Sequence, residues 1–329
     1  MICLGIESSA NDFSVGIVDS NGHVLSLVTS SYIPPKGGIH PREAARHHAQ
    51  SAPTILRRAL EEASISIKEV DVIAFTQGPG LGPALRTGAT VARTLAAYFN
   101  KPLVGVNHCV AHVEIGCLLL NMKNPLTVYV SGGNSLITRF EEGFFRVYGE
   151  TLDIALGNLL DSFAQRADLP FPGGPAVERL AKRSQRYIEL PYTVKGMDLS
   201  FSGLLTHALR LLKQGVPIED VCYSLQETAF AMVCEVAERA LAHTRSDELM
   251  LTGGVAANQR LQEMLAAVAK EHGARFGVVD RRFAVDNGAM IAWTGLLAYQ
   301  SGAVTPIRDS LVKPRWRIDQ VPIPWRKHA

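Results

Sequence analysis

His108 and His112 stand four residues apart in the run His108-Cys109-Val110-Ala111-His112, a spacing that stacks two imidazoles on one helix face. The segment continues to Leu120 almost wholly apolar, so the helix is buried, and buried imidazoles need partners. Spacing alone favours two hydrogen-bonded structural histidines. A zinc-protease helix requires Glu directly after the first His; Cys109 stands there, and the water-activating base of that chemistry is missing. Asp286 opens another apolar helix, where a capping role is an equal reading. Together the two histidines and Asp286 would make a mixed nitrogen and oxygen site suited to iron or zinc, with positions left for substrate oxygens.

Three glycine-rich turns end strand-like runs: Gly78-Pro79-Gly80-Leu81-Gly82, Ser131-Gly132-Gly133-Asn134 and Thr252-Gly253-Gly254. Glycine lets backbone amides approach phosphate oxygens closely. One such turn is only a turn, but two in the second half, with Ser8–Asp12 at the matching place in the first, raise a nucleotide site. Asp161 shares a polar helix face with Asn158 and Gln165 and reads by itself as a solvated acid. Gly173-Gly174-Pro175 opens a further helix with Glu178 in its first turn, where capping accounts for the acid.

These residues need elements to hold them. Strand patterns cover 2–7, 13–19, 23–31, 71–76 and 103–106, with helices at 41–63, broken or kinked at Pro53, and at 84–99 and 108–120. The order begins again at 126–131, 135–140 and 144–148, followed by a helix from about 153. It closes with a strand at 249–252, a helix at 258–271, a strand at 275–279 and a helix at 287–299. Each half reads hairpin, third strand, helices and parallel strands, and a helical insertion occupies about 174–245. The architecture repeats although the sequences hardly match.

This predicts an α/β protein of two actin/Hsp70-like (RNase H-like) lobes with a nucleotide and metal cleft between them. Residues 1–122 form the first lobe, with 296–329 packing back on it, and 123–295 form the second. His108 and Asp286 each begin the helix after the last strand of their half, so pseudo-symmetry would set them facing each other from opposite lobes. A doubly wound dinucleotide fold ranks second, because 78–82 does not spell G-x-G-x-x-G and the chain opens on hairpins.

Composition sets further bounds. Of 329 residues 47% are hydrophobic and 19% charged, as in a packed globular chain, and the net charge of +2 excludes a polybasic nucleic-acid binder. The charge is uneven: residues 301–329 carry Arg308, Lys313, Arg315, Arg317, Arg326 and Lys327 against Asp309 and Asp319. Five cysteines without a C-x-x-C pair indicate reduced thiols, and neither a leader nor a membrane-length apolar run is visible. The expectation is a soluble, cytoplasmic protein.

The motifs occur in a recognisable order: G-I-E-S-S at 5–9, G-P-G-L-G-P at 78–83, V-N-H-C-V-A-H at 106–112 and Y-V-S-G-G-N at 129–134. G-E-T-L-D at 149–153, P-G-G-P at 172–175, F-S-G-L at 201–204, T-G-G-V-A-A-N at 252–258 and D-N-G-A-M-I-A at 286–292 follow. Over nearly its whole length the chain resembles the catalytic subunit of the KEOPS complex, the archaeal and eukaryotic branch of the universal tRNA threonylcarbamoyladenosine-synthesis family.

The resemblance implies transfer of threonylcarbamoyl from threonylcarbamoyl-AMP to the adenosine 3′ of the anticodon in ANN-decoding tRNAs, with release of AMP. It implies one divalent metal, iron or zinc, on His108, His112, Tyr129 and Asp286. An adenine nucleotide (threonylcarbamoyl-AMP, ATP or an analogue) would lie against Tyr129, Val130, Ser131, Gly132, Gly133, Asp161, Gly174, Glu178 and Asn258. Asp161 and Glu178 would hold ribose hydroxyls, and Asn258 would lie near the adenine. Implied partners are tRNA, a small atypical protein kinase/ATPase and two small accessory subunits, with a separate enzyme making the adenylate and no membrane. Arg315, Arg317, Arg326 and Lys327 become candidates for contact with tRNA or the kinase. Relatives often carry a histidine or acid after the opening strand; here Ala10-Asn11-Asp12 stands there, and Asn11 takes no proton. A small-molecule kinase of the same fold and a nucleotide-locked, non-catalytic scaffold are the alternatives.

Overall fold

The computed structural model describes residues 1–34 and 38–326, and the chain divides into two compact units. The first comprises Met1–Asn121, Glu141–Phe145 and the stretch from Val285 onward; the second comprises Met122–Phe140 and Arg146–Ala284.

In the first unit, β1 (Ile2–Glu7), β2 (Asp12–Asp19), β3 (Val24–Ser31), β4 (Val72–Gly78) and β5 (Leu103–Asn107) form a sheet in the order β3-β2-β1-β4-β5. β2 pairs antiparallel with both β1 and β3, while β4 joins β1, and β5 joins β4, in parallel. Both faces of β1 and β4 are covered, so their sequences are near-continuous apolar runs; the edge strand β3 alternates instead. Leu4, Ile6, Ile73 and Phe75 pack towards α1 (Pro41–Glu62) and α2 (Gly82–Phe99). The expected break at Pro53 does not occur. α1 is continuous because Ala44, His48, Ala52, Ile55 and Ala59 bury one face at helical spacing, which outweighs the amide bond that proline removes.

The opposite face of the sheet carries the terminal helix, Gly288–Gln300, and α3 (His108–Leu120) is packed against that helix. The terminal helix lies so close that a Cβ on Gly5 would collide with the backbone of Ala292, and one on Gly16 with that of Ala289. Glycine is required on both sides of the contact, since Gly288 faces Gly16 in the same way. This contact corrects the expected boundary at 295/296: residues from Val285 belong to the first unit, because their helix is seated on β1, β2 and β4. Glu141–Phe145 also joins that unit, with Ile323 donating its amide to the Gly143 carbonyl.

The second unit repeats the plan. β6 (Leu126–Val130), β7 (Ser135–Glu141) and β8 (Phe144–Glu150) are followed by α4 (Leu156–Arg166) and α5 (Gly173–Ala181). Next come a short hairpin of β9 (Val194–Lys195) and β10 (Asp198–Leu199), then α6 (Ser202–Lys213), α7 (Ile218–Thr244), β11 (Glu248–Thr252), α8 (Gln259–Glu271) and β12 (Arg275–Val278). Its sheet order, β8-β7-β6-β11-β12, matches the first position by position, with β6 antiparallel to β7 and parallel to β11. α4 starts at Leu156 rather than near 153. Asp153 is drawn out of the helix to accept hydrogen bonds from the Phe201 and Ser202 amides and from both flanking serine hydroxyls. All five cysteines are buried and none is in a disulfide, and among the described residues no helix is long and apolar enough to cross a membrane.

Candidate metal and nucleotide sites

The first unit contains a cluster that could hold a metal ion. Asn107 caps α3, its side-chain oxygen accepting from the Cys109 and Val110 amides, and leaves His108 to project from the first turn. Asn287 caps the terminal helix by accepting from the Met290 amide, so the capping role open to Asp286 in the sequence belongs to its neighbour. The Asp286 carboxylate turns instead to the imidazoles. Its Oδ1 lies 3.4 Å from His108 Nε2 and 3.2 Å from His112 Nε2, and the three donor groups fall within 4.8 Å of one another. All three belong to one unit, which corrects the expectation that Asp286 would face the histidines from the second lobe.

Two imidazole nitrogens and one carboxylate oxygen at this separation fit an iron or zinc ion. Burial lowers the His112 pKa, against the pull of Asp286, and so favours the neutral ring, the form that ligates metals. Burial alone would raise the Asp286 carboxyl, but the His108 charge and the hydrogen bonds from both rings hold it far below the usual carboxylate range.

Three residues around the cluster carried no signal as a pattern in the sequence. Glu7, at the end of β1, is buried; its Oε2 lies 3.0 Å from His108 Nδ1 and accepts from Thr76 Oγ1 at 2.6 Å, while its Oε1 accepts the Ser9 amide at 2.6 Å. Ser9 Oγ donates to Asp286 Oδ2 at 3.3 Å. Asp12 has its carboxyl pushed up to about 7, by burial first and then by the charge of Asp286. The turn after the opening strand thus holds a proton-binding group at Asp12, next to Asn11, whose amide donates to it at 3.0 Å. The G-I-E-S-S run and the Ser8–Asp12 turn, read there for a nucleotide, pointed to this place but to none of these roles.

The second unit gathers the residues attributed to the nucleotide. β6 ends at Val130, and Ser131 closes a tight turn to Asn134, with Gly132 and Gly133 facing open space. Thr252 pairs beside Tyr129, and Gly253, at φ +96°, presses against the Val130 carbonyl, so both glycine turns sit together at the carboxyl ends of adjacent parallel strands. Ser131 also accepts the Gly157 amide at the start of α4. From α4, Asp161 accepts the Gly173 amide at 2.7 Å, which ties in the start of α5 at Gly173-Gly174. Glu178 on α5 accepts the Gln259 amide at 3.2 Å, and Asn258 caps α8 while donating to Gln226 at 2.9 Å. Burial raises the Asp161 carboxyl, against the pull of the Gly173 and Gly174 amides. Asp161 is therefore no solvated surface acid. Tyr129 is fully buried on the sheet face opposite Val128 and Val130, with Asn134 Nδ2 3.5 Å from its hydroxyl.

Solved structures define the class. HypF of T. kodakarensis superposes with a TM-score of 0.64 at 15% identity, over 91% of this chain and 48% of that one. Component A of the (R)-2-hydroxyglutaryl-CoA dehydratase of Acidaminococcus fermentans gives 0.57 at 13%, over 90% and 98%. The fold is the actin/Hsp70-like α/β fold, here with a two-histidine, one-carboxylate cluster in its first unit.

A family model described as tRNA N6-adenosine threonylcarbamoyltransferase matches residues 23–293. A protein of Thermofilum pendens bearing that name is 55% identical over 98% of this chain and 96% of its own length. A "probable bifunctional tRNA threonylcarbamoyladenosine biosynthesis protein" of Methanobrevibacter smithii is 55% identical over 99% of this chain, which spans 60% of that relative. The chain belongs to the tRNA N6-adenosine threonylcarbamoyltransferase family.

Proposed function

We propose that this chain transfers the threonylcarbamoyl group of threonylcarbamoyl-AMP to the N6 amine of the adenosine 3′ of the anticodon in ANN-decoding tRNAs. The amine nitrogen bonds to the carbamoyl carbon, the bond from that carbon to the phosphate oxygen breaks, and AMP leaves with the electron pair while N6 gives up a proton. The observation that carries this reading is the His108–His112–Asp286 cluster, backed by Glu7 on the second nitrogen of His108, in a chain of this family.

His108, His112 and Asp286, joined by Tyr129, are the residues proposed to hold iron or zinc, which supplies Lewis-acid stabilisation of developing negative charge when bound. The chain's own work is positioning. Glu7 holds the His108 ring, and Ser9 holds the second Asp286 oxygen. On the nucleotide side, the Ser131–Asn134 turn, Gly132 and Gly133 among its residues, would present backbone amides to the phosphate. Asp161, Gly174, Glu178 and Asn258 would line the ribose and adenine, and the hydrogen bonds linking their helices support one shared site. An adenine amine is a poor nucleophile, so a fixed donor and a fixed acceptor would supply much of the rate.

The proposed partners are tRNA, a small atypical protein kinase/ATPase and two small accessory subunits, in the cytoplasm. The relatives named bifunctional, longer than this chain, support a partner joined to it in some species. The test is tRNA modification in the presence of the partners. His108→Ala and Asp286→Ala abolish modified adenosine and AMP release while the chain stays folded. Normal modification by both variants would remove the metal-centred reading, and ATP-dependent phosphorylation of a small molecule without tRNA modification would favour the kinase.

A further inference from the structure

The C-terminal segment is more finely divided than its net charge indicates. Arg326 is nearly buried, with its guanidinium on the Glu114 carboxylate at 2.8 and 2.9 Å. Arg317 is paired with Asp319 at 3.1 Å and Arg308 with Asp309 at 3.5 Å, and Lys327 lies outside the described residues. Two of the four bases expected to meet tRNA or the kinase are thereby engaged within the fold. Lys313 and Arg315 remain, both exposed and without an acidic partner among the described residues.

These two bases share a surface concavity of about 440 Å³ with Pro314, Trp316 and Gln320. Trp316 is half-buried, and the Lys313 ammonium lies 4.3 Å from its ring centroid. Arg86 extends the basic surface: it and Pro314 flank Gly82, an added Cβ there lying 3.4 Å from Arg86 Nη1 and 3.7 Å from Pro314 Cγ.

The concavity is bolted to the metal-ligating cluster from two sides. The Trp316 carbonyl accepts from Asn107 Nδ2 at 3.1 Å, and Asn107 caps the helix that begins with His108. The Pro314 carbonyl accepts the Gly80 amide at 3.2 Å, the next amide, Leu81, donates to the Ser9 carbonyl at 2.7 Å, and Ser9 Oγ reaches Asp286.

We infer that this concavity is a docking site for an unpaired nucleotide of the tRNA anticodon loop, its phosphates meeting Lys313, Arg315 and Arg86 and its base meeting Trp316. The inference rests on the tRNA substrate proposed above. An indole with cations around it is what unpaired RNA requires, because the π face accepts any base and the cations accept the backbone. An acidic peptide would use the cations and leave the ring idle. The location matters equally, since a loop nucleotide held here lies beside the helix that carries the metal ligands.

The experiment measures binding of an anticodon stem–loop transcript to the full chain across a salt series, alongside tRNA modification with the partners present. Lys313→Ala/Arg315→Ala is expected to weaken binding about tenfold, and to reduce the slope of log affinity against log salt by about 1.4, two contacts at roughly 0.7 each. Trp316→Phe is expected to keep the salt slope and abolish the fluorescence quenching that the loop causes in the parent. A double variant with unchanged affinity and slope overturns the docking site, as does one that binds RNA normally but loses a protein partner. If the parent forms no modified adenosine, the transferase reading fails, while the salt slope and the quenching still decide whether RNA docks here.

Discussion

Glu7 Oε2 lies 3.0 Å from His108 Nδ1, the ring nitrogen that does not face Asp286. A carboxylate there accepts the Nδ1 proton, which leaves the Nε2 lone pair for a metal ion. Both Glu7 oxygens are further held, by Thr76 and by the Ser9 amide, so the ring's tilt is set before any ion arrives. Glu7→Gln should keep the fold and weaken metal binding by about 10- to 100-fold. Competition with a chelator measures the affinity, and the optical spectrum of the cobalt-substituted protein reports ring geometry independently of activity. Parent-like affinity and spectrum would show that His108 needs no orienting carboxylate.

A second consequence concerns the glycines beneath the terminal helix. Asp286 reaches the histidines because Gly288 and its helix lie against Gly5 and Gly16 with no room for a Cβ. Gly16→Ala must push the helix off the sheet or move β2, a packing change that costs about 3 kcal/mol. The same displacement withdraws Asp286, so metal affinity should fall together with the chemical-denaturation midpoint. A variant of parental stability and affinity would mean that the helix slides without moving its first turn.

The sequence showed the site in part, for reasons that differ between residues. His108 and His112 were legible because helical spacing is a local property, and the repeat of hairpin, strand and helix pointed to two units of like architecture, though not to their boundary. Asp286 was assigned to the wrong unit. The contact that decides its place lies between glycines nearly three hundred residues apart, Gly5 or Gly16 with Gly288, and glycine carries no hydrophobic signal. Glu7 and Asp12 were missed because their roles arise from burial and from neighbours distant in the chain. Asp161 read as a surface acid because its partners, the amides that open α5, follow a turn whose path the helix pattern does not encode.

Asp12 supplies a pH-dependent test. Its carboxyl is pushed up to about 7 in the folded chain, by burial and then by the Asp286 and Glu7 charges. The unfolded chain releases that proton near its ordinary value of about 4. The folded state therefore binds the extra proton in between, and stability falls as pH rises from about 4 to about 7. Asp12→Asn removes the titration. In chelator-treated protein the variant should match the parent at pH 4 and exceed it by on the order of 4 kcal/mol at pH 8. Equal pH profiles from urea melts would place the Asp12 carboxyl in ordinary solvent.

The clamp on α3 gives the last prediction. Glu114 is buried two residues after His112 and accepts from Trp325 Nε1 at 3.0 Å as well as from Arg326. The Arg326 guanidinium also lies 5.3 Å from the Phe145 ring centroid, in the short stretch that joins the first unit from beyond residue 140. Arg326→Ala strands a buried carboxylate and should cost about 3–5 kcal/mol, whereas removing both charges with Glu114→Gln/Arg326→Met should recover most of it. The comparison is a double-mutant cycle read by urea denaturation. A single variant within about 0.5 kcal/mol of the parent would mean that water replaces the guanidinium, and that the segment after Ile323 does not fasten the helix carrying the histidines.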